Sequence, residues 1–191
     1  AVLLLFLTWK RGHGLLSRRQ SEDAVPWAAF ASSMATDKLP TIDGTAVFLS
    51  QDAQHVPQAL LHSLKHFKAM HAHVLVVELC WHETPSIAPA ARAQSFALAA
   101  GVWRVVLNYG FMDDVNVPDD LQRAELGGVP LEPMQVSYFL GRETLIARPG
   151  PEMAHWRKLL FIALFRNAGS ATGFYRLPTN RVVELGAQVQ L

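Results

Sequence analysis

The chain has 191 residues, half of them hydrophobic, and carries 17 lysines and arginines against 16 acids, a net charge of +1. This length fits one domain, or one domain with a tail, and the near-zero charge excludes the global positive field of many nucleic-acid-binding proteins. The single cysteine, Cys80, excludes an internal disulfide framework and is typical of a reducing compartment.

The chain opens with an apolar run, AVLLLFLTW, over residues 1–9. A bilayer span needs about 20 apolar residues, so this run is too short to cross a membrane. The basic residues of this part of the chain follow the apolar run, whereas the basic residues of a secretory signal peptide precede its apolar run. Two interpretations of residues 1–9 remain, a buried core segment and the cytoplasmic end of a transmembrane helix. Trp9, Lys10 and Arg11 fit the second alternative as membrane-interface anchors, because aromatic and basic residues border membrane helices on the cytoplasmic side.

Residues 12–43 are predicted to form a connector, since they are rich in glycine, serine and charged residues. Within it, residues 25–30 (VPWAAF) favour a short amphipathic helix that lies on a membrane or docks on the domain.

The next part of the chain has the pattern of an α/β domain. Residues 45–49 and 73–79 are apolar runs typical of buried strands, and residues 57–70 between them have helical periodicity. A strand, a helix and a second strand with short connections predict a right-handed parallel crossover. Residues 95–99 and 102–109 then predict an antiparallel hairpin that turns at Ala100-Gly101.

The last third predicts a strand from residue 136, a turn at residues 148–151, a helix that starts at Pro151 and a final strand at residues 181–185. The predicted fold is therefore α/β, with a mixed sheet and flanking helices, over residues 44–191.

The predicted last helix is apolar nearly all round. Its core face is predicted to hold Trp156, Leu159, Leu160 and Ala163. The remaining large apolar side chains then point away from the core, and they are candidate contacts between two copies in a homodimer: Phe161, Ile162 and Phe165.

The chain shows few candidates for chemistry. His62 and His66 lie one helical turn apart and could bind a metal ion, but Lys65 between them would repel a cation and no helix carboxylate is near. We interpret the three residues as a basic surface face. Cys80 is interpreted as a core residue, because it follows an apolar strand.

Residues 169–173 (GSATG) could wrap an anion, although a loop that ends a helix is the simpler interpretation. Asp113-Asp114 and Asp119-Asp120 fit turn and helix-cap roles. With no phosphate-binding glycine motif and no nucleophile elbow, we predict no catalytic residue, no metal and no cofactor, and hence no enzyme.

Five motifs, in order along nearly the whole chain, resemble the carboxyl terminus of the KUP-type (KUP/HAK/KT) potassium uptake permeases. They are TWKRGHGLL from Thr8, ALLHSLKHFKAMH from Ala59, RVVLNYGFMDDVNVP from Arg104, SYFLGRETLI from Ser137 and RNAGSATGFYRLPTNRVVELG from Arg166.

The resemblance implies that residues 1–11 end the last transmembrane helix, residues 12–43 connect, and residues 44–191 form a cytoplasmic domain. The parent protein would take up potassium together with protons across the inner membrane, and lipid would contact the amino terminus. The coupled-ion sites of such transporters lie on broken helices at the bilayer midplane, so this chain is expected to hold no ion-permeation residue. The opening strand-helix-strand leaves an alternative, a soluble small-ligand or nucleotide-binding module of universal-stress type.

Overall fold

The computed structural model describes residues 2–22, 24–36, 39–50, 54–124, 126–167 and 171–191. The chain divides into two compact units. The helical unit comprises Ala1–Ala24, Arg142–Ser170 and Gly186–Leu191, and the sheet unit comprises Val25–Gly141 and Ala171–Leu185.

Six strands form one mixed sheet in the order β3-β4-β2-β1-β5-β6. They are β1 (Thr41–Ser50), β2 (Met70–His82), β3 (Ala93–Ala99), β4 (Val102–Gly110), β5 (Val136–Ile146) and β6 (Val182–Gln190). Strand β1 pairs in parallel with β2 and β5, β2 pairs in parallel with β4, and β3 pairs antiparallel with β4. The predicted α/β fold with a mixed sheet is confirmed, and so are the parallel crossover and the hairpin.

The sheet unit is covered on both faces, which explains the continuous apolar strands. Alternate residues supply two cores. One contains Val47, Leu75, Val105 and Leu107, and the other contains Phe48, Val74, Val76 and Phe139. Helix α3 (Gln58–Phe67) adds Leu60 to the second core, and α2 (Trp27–Thr36) adds Phe30, which is 4% exposed. Of the two predicted positions for residues 25–30, on a membrane or docked on the domain, the structure has the second, because α2 packs on the sheet of its own unit.

Short elements close the sheet unit. They are α4 (Pro89–Arg92), α5 (Val117–Arg123), α7 (Ala171–Phe174) and a 3-10 turn at Thr179–Arg181. Asn116 caps α5 by accepting a hydrogen bond from the Asp119 amide at 3.3 Å. At the hairpin turn Gly101 has φ +74°, a left-handed conformation that suits glycine.

The helical unit is built on α1 (Val2–Glu22) and α6 (His155–Arg166). Its core contains Leu16, Leu145, Met153, Phe161, Ile162 and Leu191. Helix α1 is continuous from the apolar run into the predicted connector. No helix in the part of the chain that the structure describes combines the length and the hydropathy that a bilayer span needs.

The structure corrects the predicted last helix in two respects. Helix α6 begins at His155 and not at Pro151, because Ala154 is the extended N-cap residue and Pro151 lies in a turn. The predicted core face is also wrong, since Trp156 is 55% and Leu159 52% exposed. Both sides of α6 are apolar, so the helical period alone could not show which side packs inward.

Candidate functional site

Helices α1 and α6 pack closely in the helical unit. Gly12 is buried in α1, and a methyl group added to it would overlap the aromatic ring of Phe161. The ring of Trp9 lies 5.6 Å from that of Phe161, and the ring of His13 lies 6.2 Å from it. Glycine at position 12 therefore sets how closely the two helices approach.

Polar contacts reinforce the α1–α6 packing. Arg157 Nε donates to the hydroxyl of Thr8 at 3.3 Å, and Thr8 is fully buried. Arg11 donates to the backbone carbonyl of Glu152 at 3.2 Å. Lys158, only 1% exposed, donates from Nζ to the carbonyl of Arg148 at 2.9 Å. The buried ammonium thus has an acceptor, as a buried cation requires.

The predicted membrane anchors begin just after an exposed apolar stretch. The side chains before them are 40–80% exposed: Val2, Leu3, Leu4, Leu5, Phe6 and Leu7. Trp9 is half-buried against Phe161, whereas Lys10 is exposed and Arg11 is held by Glu152. Two of the three anchors consequently also position α1 within its own unit.

The predicted contact between copies at Phe161, Ile162 and Phe165 is corrected by the structure. Phe161 is 0% and Ile162 8% exposed, both inside the core of the helical unit, and Phe165 is half-buried against that core. The physical reason is that α1 covers this side of α6, with the Phe161 ring packed against Gly12.

The predicted basic face lies on α3. The rings of His62 and His66 are 6.0 Å apart, Lys65 and His66 are exposed, and His62 is half-buried. In the part of the chain that the structure describes, no three His, Cys, Asp or Glu side chains are grouped to hold a metal ion. Cys80 is half-buried and not in the core, and burial, followed by the nearby Glu78 carboxylate, raises the pKa of its thiol.

A buried ionic cluster in the sheet unit was not anticipated from the sequence. Arg92 is 9% exposed and lies 3.1 Å from carboxylate oxygens of both Asp113 and Asp120. Tyr109 donates its hydroxyl to Asp120 at 2.7 Å, and its ring lies 5.0 Å from the Arg92 guanidinium. Burial raises the pKa of Tyr109, and so does this hydrogen bond to Asp120. The cluster ties α4 to α5 and to the end of β4.

Asp113 also organises the loops around that cluster. It accepts hydrogen bonds from the backbone amides of Gly110 at 2.8 Å and Ile87 at 2.9 Å, and these two bonds are the main reason that its carboxyl pKa is lowered. The cluster unites residues up to 28 positions apart, as in the Arg92–Asp120 pair. No local spacing in the sequence links such residues. Asp113 fills the predicted turn role. Asp119 lies in the first turn of α5 and accepts a hydrogen bond from the side chain of the cap residue Asn116, and Asp120 is a buried partner of Arg92.

A polar cavity of about 670 Å³ lies in the sheet unit where β1, β2 and β5 begin. Asp43, His71, His73, Ser137 and Arg181 are among its lining residues. Strand β1 has a register shift between Ile42 and Thr45 at this edge, where Gly44 has φ +103°. Burial lowers the pKa of His71. The lining carries both signs of charge, so it favours no single class of ligand.

Residues 169–173, interpreted above as a loop that ends a helix and with anion binding as the alternative, include Gly169 and Ser170, which lie outside the described residues. The part that is described contributes the short helix α7.

Comparison with known proteins gives consistent matches. The family model described as "K+ potassium transporter C-terminal domain" matches residues 43–191. "Probable potassium transport system protein Kup 3" from Dechloromonas aromatica (strain RCB) is 47% identical over 191 residues, which is 100% of this chain and 30% of the relative. The "Probable potassium transport system protein Kup" of Aromatoleum aromaticum is 45% identical over 190 residues, with the same coverage.

A more distant relative, the protein of the same name from Acidiphilium cryptum (strain JF-5), is 38% identical over 191 residues, again 100% of this chain and 30% of the relative. The chain thus spans about 30% of the length of these curated relatives. No solved structure matches the chain. Neither the family model nor these relatives support the universal-stress alternative.

Proposed function

Because this chain belongs to the K+ potassium transporter C-terminal domain family, we propose that it is the carboxyl-terminal domain of a membrane protein that takes up potassium together with protons. The single observation that carries the proposal is the coverage. The whole chain matches relatives named as potassium transport proteins, but it matches only 30% of their length.

The proposed role of this domain is assembly or regulation. A potassium ion needs a dehydrated path lined with oxygen atoms through the bilayer. The exposed apolar stretch at Val2–Leu7 is far shorter than the roughly 20 residues of a membrane span. The ion path therefore belongs to the remaining part of the protein, and this domain acts by binding differently to the conformations of that part.

Helix α1 is proposed to link the last membrane helix mechanically to α6 of this domain. Residues 1–11 would continue the last membrane helix, with lipid around the first residues and with Trp9 and Lys10 at the interface. The same helix packs through Gly12 against Phe161, and Arg11 binds the Glu152 carbonyl. A shift of the membrane helix would then move α6 directly. The bases behind the apolar stretch support a position of the domain on the cytoplasmic side of the inner membrane, because basic residues border membrane helices on that side.

The homodimer remains part of the proposal, with a different contact from the one predicted. In the sheet unit Trp81 is 51% and Phe174 54% exposed, and their rings lie 6.1 Å apart. An exposed aromatic pair of this kind offers apolar surface to a second copy.

Growth of a potassium-uptake-deficient bacterium at low potassium tests the proposal. We expect the complete reading frame that encodes this chain to restore growth, and the chain alone to fail at the same expression level. Rescue by the chain alone, or no rescue by the complete protein when it is present in the membrane, would contradict the proposal.

A further inference from the structure

The outer side of α6 is apolar and exposed. Trp156 is 55% and Leu159 52% exposed, and Ala163 is exposed on the same side of the helix. The opposite side buries Lys158, Phe161 and Ile162 in the core of the helical unit. One apolar side of α6 thus has a partner in the chain, and the other side, which we call the α6 outer face (Trp156, Leu159, Ala163), is open.

The helices around this face are strongly basic. Helix α6 contains three bases and no acid, namely Arg157, Lys158 and Arg166. Helix α1 contains four bases and one acid, namely Lys10, Arg11, Arg18, Arg19 and Glu22. Because Lys158 is buried, six of these bases can contribute to the surface, and the nearby acids Glu22 and Glu152 oppose them, which leaves an excess of four positive charges. Such a surface is complementary to anionic lipid, and two copies of it would repel each other.

Helix α6, which carries the outer face, also borders the apolar start of α1. A shallow groove of about 300 Å³ is lined by Leu5, Phe6 and Trp9 of α1 and by Leu164 of α6. The exposed start of α1 and helix α6 therefore border one groove of the same unit, through half-buried Leu164 and not through the outer face itself. A membrane that surrounds the start of α1 would bring its surface close to α6.

We propose that α6 lies on the bilayer surface, with Trp156 and Leu159 in the boundary between lipid headgroups and acyl chains. The inference rests on the proposed function, because α1 must emerge from the membrane for α6 to reach it. Tryptophan is enriched at this boundary, and a basic helix with an apolar face is the usual design of a helix that binds there. The domain would thereby be held against the membrane at two places, α1 and the α6 outer face.

Spin labels on single cysteines in the full chain test this proposal. With Cys80→Ser as background, the label is placed at Leu159→Cys, at Leu4→Cys in the apolar start of α1, and at Lys65→Cys on exposed α3. Circular dichroism checks that each variant is folded. Collision with oxygen and with a water-soluble nickel chelate is measured in the presence of phosphatidylglycerol vesicles and without them.

In the vesicles we expect the label at position 159 to be accessible to oxygen and shielded from nickel, and the label at position 65 to stay in water. Shielding at position 4 but not at position 159 would overturn this inference and leave the membrane attachment of α1 intact. Water exposure at both positions would contradict the attachment itself. Immobilisation at position 159 that depends on protein concentration and not on lipid would overturn the inference in favour of a second copy.

Substitutions give a second readout. Because Trp156 and Leu159 are more than half exposed, Trp156→Ser with Leu159→Ser should leave the fold unchanged. We expect the partition of the chain into phosphatidylglycerol vesicles to fall about ten-fold, from the loss of two apolar side chains at the boundary. Phe67→Ser, at a residue that is 55% exposed on α3, is the matched control and should not alter partition. An equal effect of both changes would refute a specific role of the α6 outer face.

Discussion

Gly12 lies against the aromatic ring of Phe161, so closely that a side chain at position 12 has no room. This relationship makes α1 part of the helical unit and not a loose connector. It also explains why Phe161, predicted to face a second copy, is fully buried within the chain. The residue that joins the two helices is the smallest one available.

The first prediction compares two glycines of α1. Gly12→Ala forces a methyl group into the Phe161 ring, and we expect it to lower the free energy of unfolding by about 1–3 kcal/mol, the usual cost of overpacking. Gly14→Ala meets nothing within 4 Å, so it should raise stability by roughly 0.5–1 kcal/mol through helix propensity. Urea denaturation of both variants measures the difference, and equal effects would contradict the close approach.

The second prediction concerns the buried ionic cluster. Asp120→Ala removes one of the two carboxylates that pair with the buried Arg92 guanidinium, together with the acceptor of the Tyr109 hydroxyl, and we expect a loss of about 3–5 kcal/mol in the free energy of unfolding. Asp114→Ala is the control. This carboxylate is 86% exposed, and its ion pair with Arg176, at 3.6 Å, lies at the surface. It should change stability by less than about 1 kcal/mol. A small effect of Asp120→Ala would contradict this prediction and show that Asp113 alone is a sufficient partner for Arg92.

The third prediction is a pH dependence centred on Asp113. Its pKa in the folded protein lies below the ordinary 3.8, because the amides of Gly110 and Ile87 bind the charged carboxylate. A lowered carboxyl pKa gives stability that is fully present above 3.8 and is lost as the pH falls through the folded pKa. Asp113→Asn should therefore destabilise the chain at neutral pH, and the difference from the unchanged chain should shrink in acid. A constant difference across this range would contradict the assignment.

The strands and the hairpin could be predicted from the sequence because their signals are local. Apolar runs near residues 45–49 and 73–79 mark β1 and β2, and the turn at Ala100-Gly101 marks the hairpin. The two sides of α6 could not be distinguished in the same way. Both are apolar, and the choice depends on Gly12, which lies 149 positions before Phe161.

The candidate sites were predictable to a smaller extent. The anchors Trp9, Lys10 and Arg11 follow from the order of apolar and basic residues, and their membrane role stays a prediction. The Arg92–Asp120 pair joins residues 28 positions apart, before and after the β3–β4 hairpin, and sequence periodicity carries no information about a contact over this separation. The polar cavity depends on where β1, β2 and β5 begin, and therefore on the completed sheet.

The fourth prediction concerns transport by the complete protein. If the ion path lies wholly outside this domain, deletion of residues 44–191 should alter the uptake rate or the amount of assembled protein without changing which ion is preferred. In a control variant, an inert soluble domain replaces residues 44–191. This control separates the loss of this particular domain from the loss of mass.

Competition of rubidium and caesium against potassium in this deletion variant is the most direct test of the division of labour. We expect the order and ratio of ion preference to equal those of the complete protein, because selectivity arises from coordination inside the bilayer. A changed ion preference at unchanged protein level would mean that the domain touches the permeation path, and the proposed function of this chain would be wrong.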